Sequence, residues 1–187
     1  MPALLLSRVQ RTTLTWFLWA IAVAAALASG YAAAALAGPR AQGPKETIEG
    51  KVVAVADGDT VTVLVDSVQV KVRLWGIDAP EKAQAFGQRS REHVSSLVFG
   101  KNVRVEVWGR DRYDRTLGRI FVDATDVNLQ MVRAGMAWWY QKYSPKAQDI
   151  EVAEQQARSA KLGLWRDAGP QPPWEFRKAK RAGQPAP

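Results

Sequence analysis

The chain has 187 residues, no cysteine, a single histidine, and 26 lysines and arginines against 18 acidic residues, a formal net charge of +8. Without cysteine, thiolate catalysis, disulfides and the usual structural zinc sites are excluded, and one histidine rules out a histidine-rich metal site or a two-histidine mechanism. Carboxylates must carry any acid–base or metal chemistry, while the basic excess suits a polyanionic partner without saying what is done to it.

Arg8 and Arg11 precede an uncharged run from Leu14 to Ala37, and no acidic residue occurs before Glu46. A basic start followed by an apolar, small-residue stretch predicts an export signal within residues 1–37. Ala26-Leu27-Ala28 and Ala35-Leu36-Ala37 are small-x-small cleavage sites. The same run is long enough for an uncleaved membrane anchor, although its alanine and glycine content is low in hydrophobicity for one. Both readings put the remainder outside the cytoplasm, secreted, periplasmic or tethered to a membrane. Residues 38–46, with prolines at 39 and 44 and glycines at 38 and 43, read as a linker, and 47–166 as one folded domain.

Strand signals begin at Ile48. Val52, Val53 and Val55 lead into Asp57-Gly58-Asp59, and a β-branched run follows from Thr60 to Val65. Val68, Val70, Val72 and Leu74 alternate with Gln69, Lys71, Arg73 and Trp75, so the first set is predicted to face the core and Arg73 the other side. Val103, Val105 and Val107 repeat the alternation, and Leu117–Val122 forms the next run. Phe86, Ser90, Val94, Leu97 and Val98 share a helical face ending at Gly100. Asp126 is placed to cap a short helix that Gly135 terminates. A longer helix is predicted from Pro145, with Ile150, Ala153, Ala157 and Ala160 on one stripe and Gly163 stopping it. Residues 167–187 turn to proline and basic residues without periodicity and read as a basic tail. Five strands with a helix after the third and helices at the end fit an α+β fold, a small five-stranded barrel of the OB type with about three helices.

Three segments could carry chemistry. Asp57-Gly58-Asp59-Thr60 joins two strands, and its carboxylates could gather a hard cation, although Asp-Gly is also a common hairpin turn. Asp78-Ala79-Pro80-Glu81 follows the strand that bears Arg73; Pro80 stiffens the segment and can expose the Ala79 carbonyl. One aspartate from each cluster with a carbonyl would leave coordination positions open for a phosphate oxygen, whereas a turn carboxylate at Asp78 and a solvated acid at Glu81 are the plainer alternatives. The segment Asp111-Arg112-Tyr113-Asp114-Arg115 offers guanidinium forks matched to phosphate, or simply a solvated basic hairpin. His93 reads as a surface residue.

Taken together, Asp57-Gly58-Asp59-Thr60, Arg73-Leu74-Trp75-Gly76-Ile77-Asp78-Ala79-Pro80-Glu81 and Asp111 through Arg119 resemble, in order and spacing, the signature blocks of staphylococcal-nuclease-like (thermonuclease-like) proteins. Asn128-Leu129 through Ala137, Gly163-Leu164-Trp165 and Pro173-Trp174-Glu175-Phe176-Arg177 extend the resemblance to roughly Ile48–Arg177. The resemblance implies an OB barrel with three helices and a calcium-dependent phosphodiesterase acting on DNA and RNA with little regard for the sugar; with the N-terminal segment this makes an exported nuclease, expected to be a monomer. Carried over by position, Asp59 and Asp78 would ligate calcium with the Ala79 carbonyl, and Glu81 would position or deprotonate water. Arg73 and Arg115 would hold the phosphate and stabilise the transition state, Arg112 and Tyr113 would contact substrate, and Asp57 would support the metal from behind. Asp114 stands where the family commonly has glycine, which predicts a left-handed backbone there and an added negative charge near the phosphate site. The competing expectation is a noncatalytic OB module that only binds nucleic acid through basic and aromatic side chains; such a module could dispense with Asp59, Asp78, Glu81, Arg73 or Arg115, and all are present.

Overall fold

A computed structural model describes residues 43–183. The export or anchor segment 1–37 and most of the linker that follows it lie outside the described residues. Along the chain come β1 (Glu46–Asp57), β2 (Thr60–Val65), β3 (Val68–Leu74) and the short β4 (Ile77–Asp78), then α1 (Gly87–Val98), β5 (Asn102–Arg110), β6 (Thr116–Val122) and β7 (Thr125–Asp126). After these come α2 (Val127–Arg133), β8 (Trp138–Trp139), α3 (Gln148–Ser159), a 3-10 turn (Gly163–Arg166) and α4 (Pro173–Arg181).

β1 pairs antiparallel with both β2 and β5, β2 with β3, and β5 with β6. The ring closes where β3 lies parallel to β6, Val72–Leu74 against Thr116–Gly118. This is the five-stranded OB-type barrel with packed helices that the alternating valines predict. Val52, Val61, Val63, Val72, Val105 and Ile120 fill its interior at 0% exposure, and α1 adds Val94 and Val98 to the same core. Closure needs a glycine at 118. A Cβ there would stand 2.5 Å from a Val105 methyl and 2.7 Å from a Val72 methyl, so any side chain would push the closing strands apart.

Several sequence expectations hold in detail. The Asp126 carboxylate caps α2 by accepting from the Leu129 amide at 3.0 Å, and Gly135 takes a positive φ of 64° just past its end. Others need correction. Helix α3 begins at Gln148, because Pro145 sits in a turn that Ala147 closes onto the Ser144 carbonyl. Ile150, Ala153 and Ala157 are buried as expected, but Ala160 lies beyond the last helical turn and is exposed. Val68 is 63% exposed, since it follows the tight Asp66-Ser67 turn at the barrel's rim. Among the described residues the helices number four, because part of the region read as an aperiodic tail folds: Pro173–Arg181 forms α4. Proline at its first position, Glu175 in the first turn and Lys178, Lys180 and Arg181 in the last complement the helix dipole. Pro173 and Phe176 are buried and dock it. Among the described residues no helix is long and apolar enough to cross a membrane.

Candidate active site

The β1–β2 turn brings Asp59 to the end of the barrel. Its carbonyl accepts from the Leu74 amide at 2.8 Å, and Thr60 lies opposite Arg73 in the β2–β3 register. Gly58 lets α1 approach this turn: a Cβ at 58 would fall 2.0 Å from the Ser90 hydroxyl. The backbone thus sets Asp59 beside Arg73 before any side chain chooses a rotamer.

The side chains complete a buried ionic cluster. Asp59 and Asp78 are 2% and 0% exposed. Arg73 donates from one terminal nitrogen to Asp59 and from the other to Asp78, bridging the two carboxylates. The second oxygen of Asp59 accepts from the Ala79 amide at 2.8 Å, and its first also accepts from the Thr60 hydroxyl at 3.1 Å. The Asp57 carboxylate receives the Asp59 amide at 3.2 Å from behind. Asp57, Asp59, Arg73, Asp78, Ala79 and Glu81 are therefore gathered at one end of the barrel. Burial, and next the charge of Asp59, push the Asp57 carboxyl up to about 6. Burial also raises Asp78, against the hydrogen bonds and charge of Arg177 and the charge of Arg73. For Arg73, burial disfavours the charge, but Asp59 and Asp78 outweigh it and lift the guanidinium above its ordinary range.

Arg115 reaches the cluster from the β5–β6 loop. Asp111 holds it, accepting from the Arg115 side-chain Nε at 2.7 Å and from its backbone amide at 3.0 Å. One Arg115 terminal nitrogen lies 3.5 Å from the Thr60 hydroxyl, which links Arg115 through Thr60 to Asp59. Arg112 and Tyr113 lie outside the buried cluster. Tyr113 is 65% exposed, with the Arg112 guanidinium 4.7 Å from its ring centre. Asp114 has a φ of 59°, the left-handed backbone predicted for a position that commonly holds glycine. Its carboxylate pairs with Arg110 at 2.9 Å. His93 is half-buried on α1, and burial lowers its pKa.

Sequence reasoning missed three participants. Asp111 and Thr60 belong to the blocks that the sequence singles out, but nothing in those blocks gives either a role of its own. The third is Arg177 of α4. It donates to Asp78 at 2.7 and 3.2 Å and to Glu81 at 2.8 Å. The helix charge pattern of residues 173–181 was the available signal for α4, but nothing in it points to a partner 99 positions away. Beside this contact opens a groove of about 880 Å³ whose lining includes Arg112, Tyr140, Tyr143, Trp174, Arg177 and Arg181.

The donor set suits a hard cation. Every ligand candidate is an oxygen, two carboxylates are already brought together by one guanidinium, and the Ala79 segment runs beside them. Among the described residues no cluster of three or more histidine, cysteine or acidic side chains has metal-binding geometry. A cation here would rest on two carboxylates supplemented by carbonyl and water, which leaves positions for substrate.

A closed five-stranded barrel with buried carboxylates and arginines at one end defines a class, and comparison with known proteins gives the family. Residues 71–167 match the family described as staphylococcal nuclease homologue. A protein of Escherichia coli O157:H7 named as an uncharacterized endonuclease is 47% identical over 134 residues, 71% of this chain and 87% of its own length. A micrococcal nuclease of Shigella flexneri is 42% identical over 142 residues, 71% of this chain and 82% of its own. A staphylococcal-like nuclease of Arabidopsis thaliana is 37% identical over 113 residues, 60% of this chain and 35% of its own. The chain belongs to the staphylococcal nuclease family, and its activity class is that of a nuclease, a hydrolase.

Proposed function

We propose that this nuclease is exported, depends on calcium, and cleaves phosphodiester bonds of both DNA and RNA by in-line attack of water. The observation that carries the reading is the Asp59–Arg73–Asp78 bridge with Glu81 alongside, a constellation of buried acids and arginines assembled at one end of the barrel. Asp59 and Asp78, with the Ala79 carbonyl, would hold calcium, which when bound offsets phosphate charge and brings water close to phosphorus. Asp57 restrains Asp59 from behind through the backbone amide.

A phosphodiester resists nucleophiles chiefly because it is anionic, so fixed cations address the main barrier. Arg73 spends one donor of each terminal nitrogen on the aspartates and keeps others for a phosphate oxygen. Arg115 is prepositioned by Asp111 in the same way. Glu81 is the acid of the cluster nearest solvent, at 40% side-chain exposure, which suits a group that positions water and receives its proton. Exposed Arg112 and Tyr113 supply contacts to the nucleotide without reading the sugar. For export, the basic start and uncharged run of residues 1–37 are the support.

The test is a cleavage assay on single-stranded DNA, duplex DNA and RNA with calcium, magnesium and chelator run side by side. Cleavage of both polymers with calcium and none in chelator is expected. Full activity in chelator would remove the metal from the mechanism, and cleavage of DNA alone would remove indifference to the sugar. Cell fractionation tests export, and activity confined to the cytoplasm would overturn it.

A further inference from the structure

Helix α4 contributes to the nuclease site itself. Its Trp174 stacks on Tyr140 with ring centres 5.4 Å apart and planes 2° from parallel, while Phe176 is 8% exposed. Just ahead of the helix, the Gln171 carbonyl accepts from the side chain of Gln84, which follows Glu81 by three residues. The helix is therefore pinned on both sides of the Asp78–Glu81 segment. Trp174 and Arg177 are three residues apart and so share a face. With Trp174 seated on Tyr140, Arg177 is delivered to the carboxylates.

We propose that Arg177 is a positioning residue of the reaction: through one guanidinium it fixes the Glu81 and Asp78 carboxylates relative to each other. The inference rests on the reading of Glu81 and Asp78 given above. Three features separate this role from a phosphate contact or a surface ion pair. Arg177 commits three terminal N–H bonds to carboxylates, one nitrogen to Asp78 alone and the other to Asp78 and Glu81 together, whereas Arg73 commits two. Its carboxylate partner Asp78 is 0% exposed, so the pair is not a rim contact. Glu81 itself is 40% exposed and has no other basic partner among the described residues, so Arg177 is what restrains its side chain. The charge balance also permits a cation. Four carboxylates, Asp57, Asp59, Asp78 and Glu81, face the two guanidiniums of Arg73 and Arg177, which leaves acids in excess of bases.

The experiment compares the full chain with Arg177→Ala, Arg177→Lys, Glu81→Gln and the Arg177→Ala/Glu81→Gln double variant. It measures kcat and KM on a single-stranded oligonucleotide with calcium, together with thermal melting. Arg177→Ala is expected to lower kcat by about 10- to 100-fold with KM within about threefold, and Arg177→Lys to recover part of the loss. In the Glu81→Gln background the Arg177 change should cost clearly less than in the parent chain, because the share of its effect that runs through Glu81 is already gone and only the share through Asp78 is left; full additivity would overturn the proposal. A raised KM with normal kcat would make Arg177 a substrate contact, and a raised kcat would make it a restraint on the site; either overturns the proposal. So would a fall in kcat that lysine does not rescue and that accompanies a collapse in melting temperature. Near-normal activity in Glu81→Gln would instead bring down the reading of the site on which this inference stands, so the two failures are distinguishable.

Discussion

Asp59 and Asp78 are 2% and 0% exposed at the end of the barrel, whereas Tyr113 and the Asp114 side chain on the β5–β6 loop stand 65% and 82% exposed. Both regions consist of acids paired with arginines, yet the pairs mean different things. In the buried cluster Asp59 and Asp78 have been taken out of water; the β2–β3 register and the Ala79 amide set the position of Asp59, and the pairing of Asp78 with Trp138 sets that of Asp78. Losing one partner there leaves a charge without compensation, which costs on the order of 3–5 kcal/mol. On the loop, the Arg110–Asp114 pair is screened by solvent and contributes roughly 0–1 kcal/mol. The loop's ordering comes from Asp111, which gathers the amides of Tyr113 and Arg115 and the Arg115 side chain. One region is held rigid by burial, the other by a single acid acting as a local hub.

Arg73→Ala breaks the comparison most severely. It should lower turnover by about 10³-fold and destabilise the fold by about 3–5 kcal/mol in chelator. Calcium should restore part of that stability by neutralising the same carboxylates. Melting with calcium and with chelator checks this, and equal losses in both would argue against metal at Asp59 and Asp78. Arg115→Ala should lower turnover by a comparable 10²- to 10³-fold while costing only about 1–2 kcal/mol, since its partner Asp111 can rehydrate. A large melting shift in that variant would erase the distinction between the regions.

The two regions should also differ in the sign of their pH dependence. Asp57 is raised to about 6, by burial first and by Asp59 second, so the folded state holds its proton more tightly than the unfolded chain. Its contribution is therefore lost as pH rises from about 4 to 6, and Asp57→Asn should gain on the parent chain across that window. Asp111 runs the other way. Burial acts to raise it, but the hydrogen bonds and charge of Arg115 and the Tyr113 amide prevail and lower it. That stability is present above the ordinary aspartate range and lost as pH falls through the lower folded value. Asp111→Asn should thus fall behind the parent chain at neutral pH and converge with it in acid. Denaturant melts between pH 3 and 7 check both signs. The smallest effect is expected of Trp174→Ala, about 1–2 kcal/mol from loss of the stack on Tyr140, or a few degrees in melting.

The barrel was legible because its strands face a core on one side only, so Val103, Val105 and Val107 announce themselves by alternation. The acids and arginines gathered at its end were legible as blocks, since Asp59 and Arg73 lie beside or on the paired strands β2 and β3 and Asp78 follows Arg73 closely in the chain. What stayed hidden depends on contacts without local signature. Nothing around Asp111 says that it will hold Arg115 rather than ligate or face solvent. Val68 fits the core pattern and is displaced from it by a turn. Arg177 looked like one more charge in a basic end because its role depends on where Trp174 and Phe176 dock.

Asp78 and Arg177 are separated by 99 positions in the chain, and synthesis runs in one direction. All five barrel strands and the two-residue bridge that carries Asp78 are complete by Val122, well before the helix that carries Arg177 has been made. A chain emerging from the ribosome therefore acquires both aspartates, Arg73 and Arg115 early, and receives the guanidinium that steadies Glu81 only when α4 has been made. Order of manufacture is thereby written into the site: the part that holds the acids in working alignment arrives after the barrel is complete.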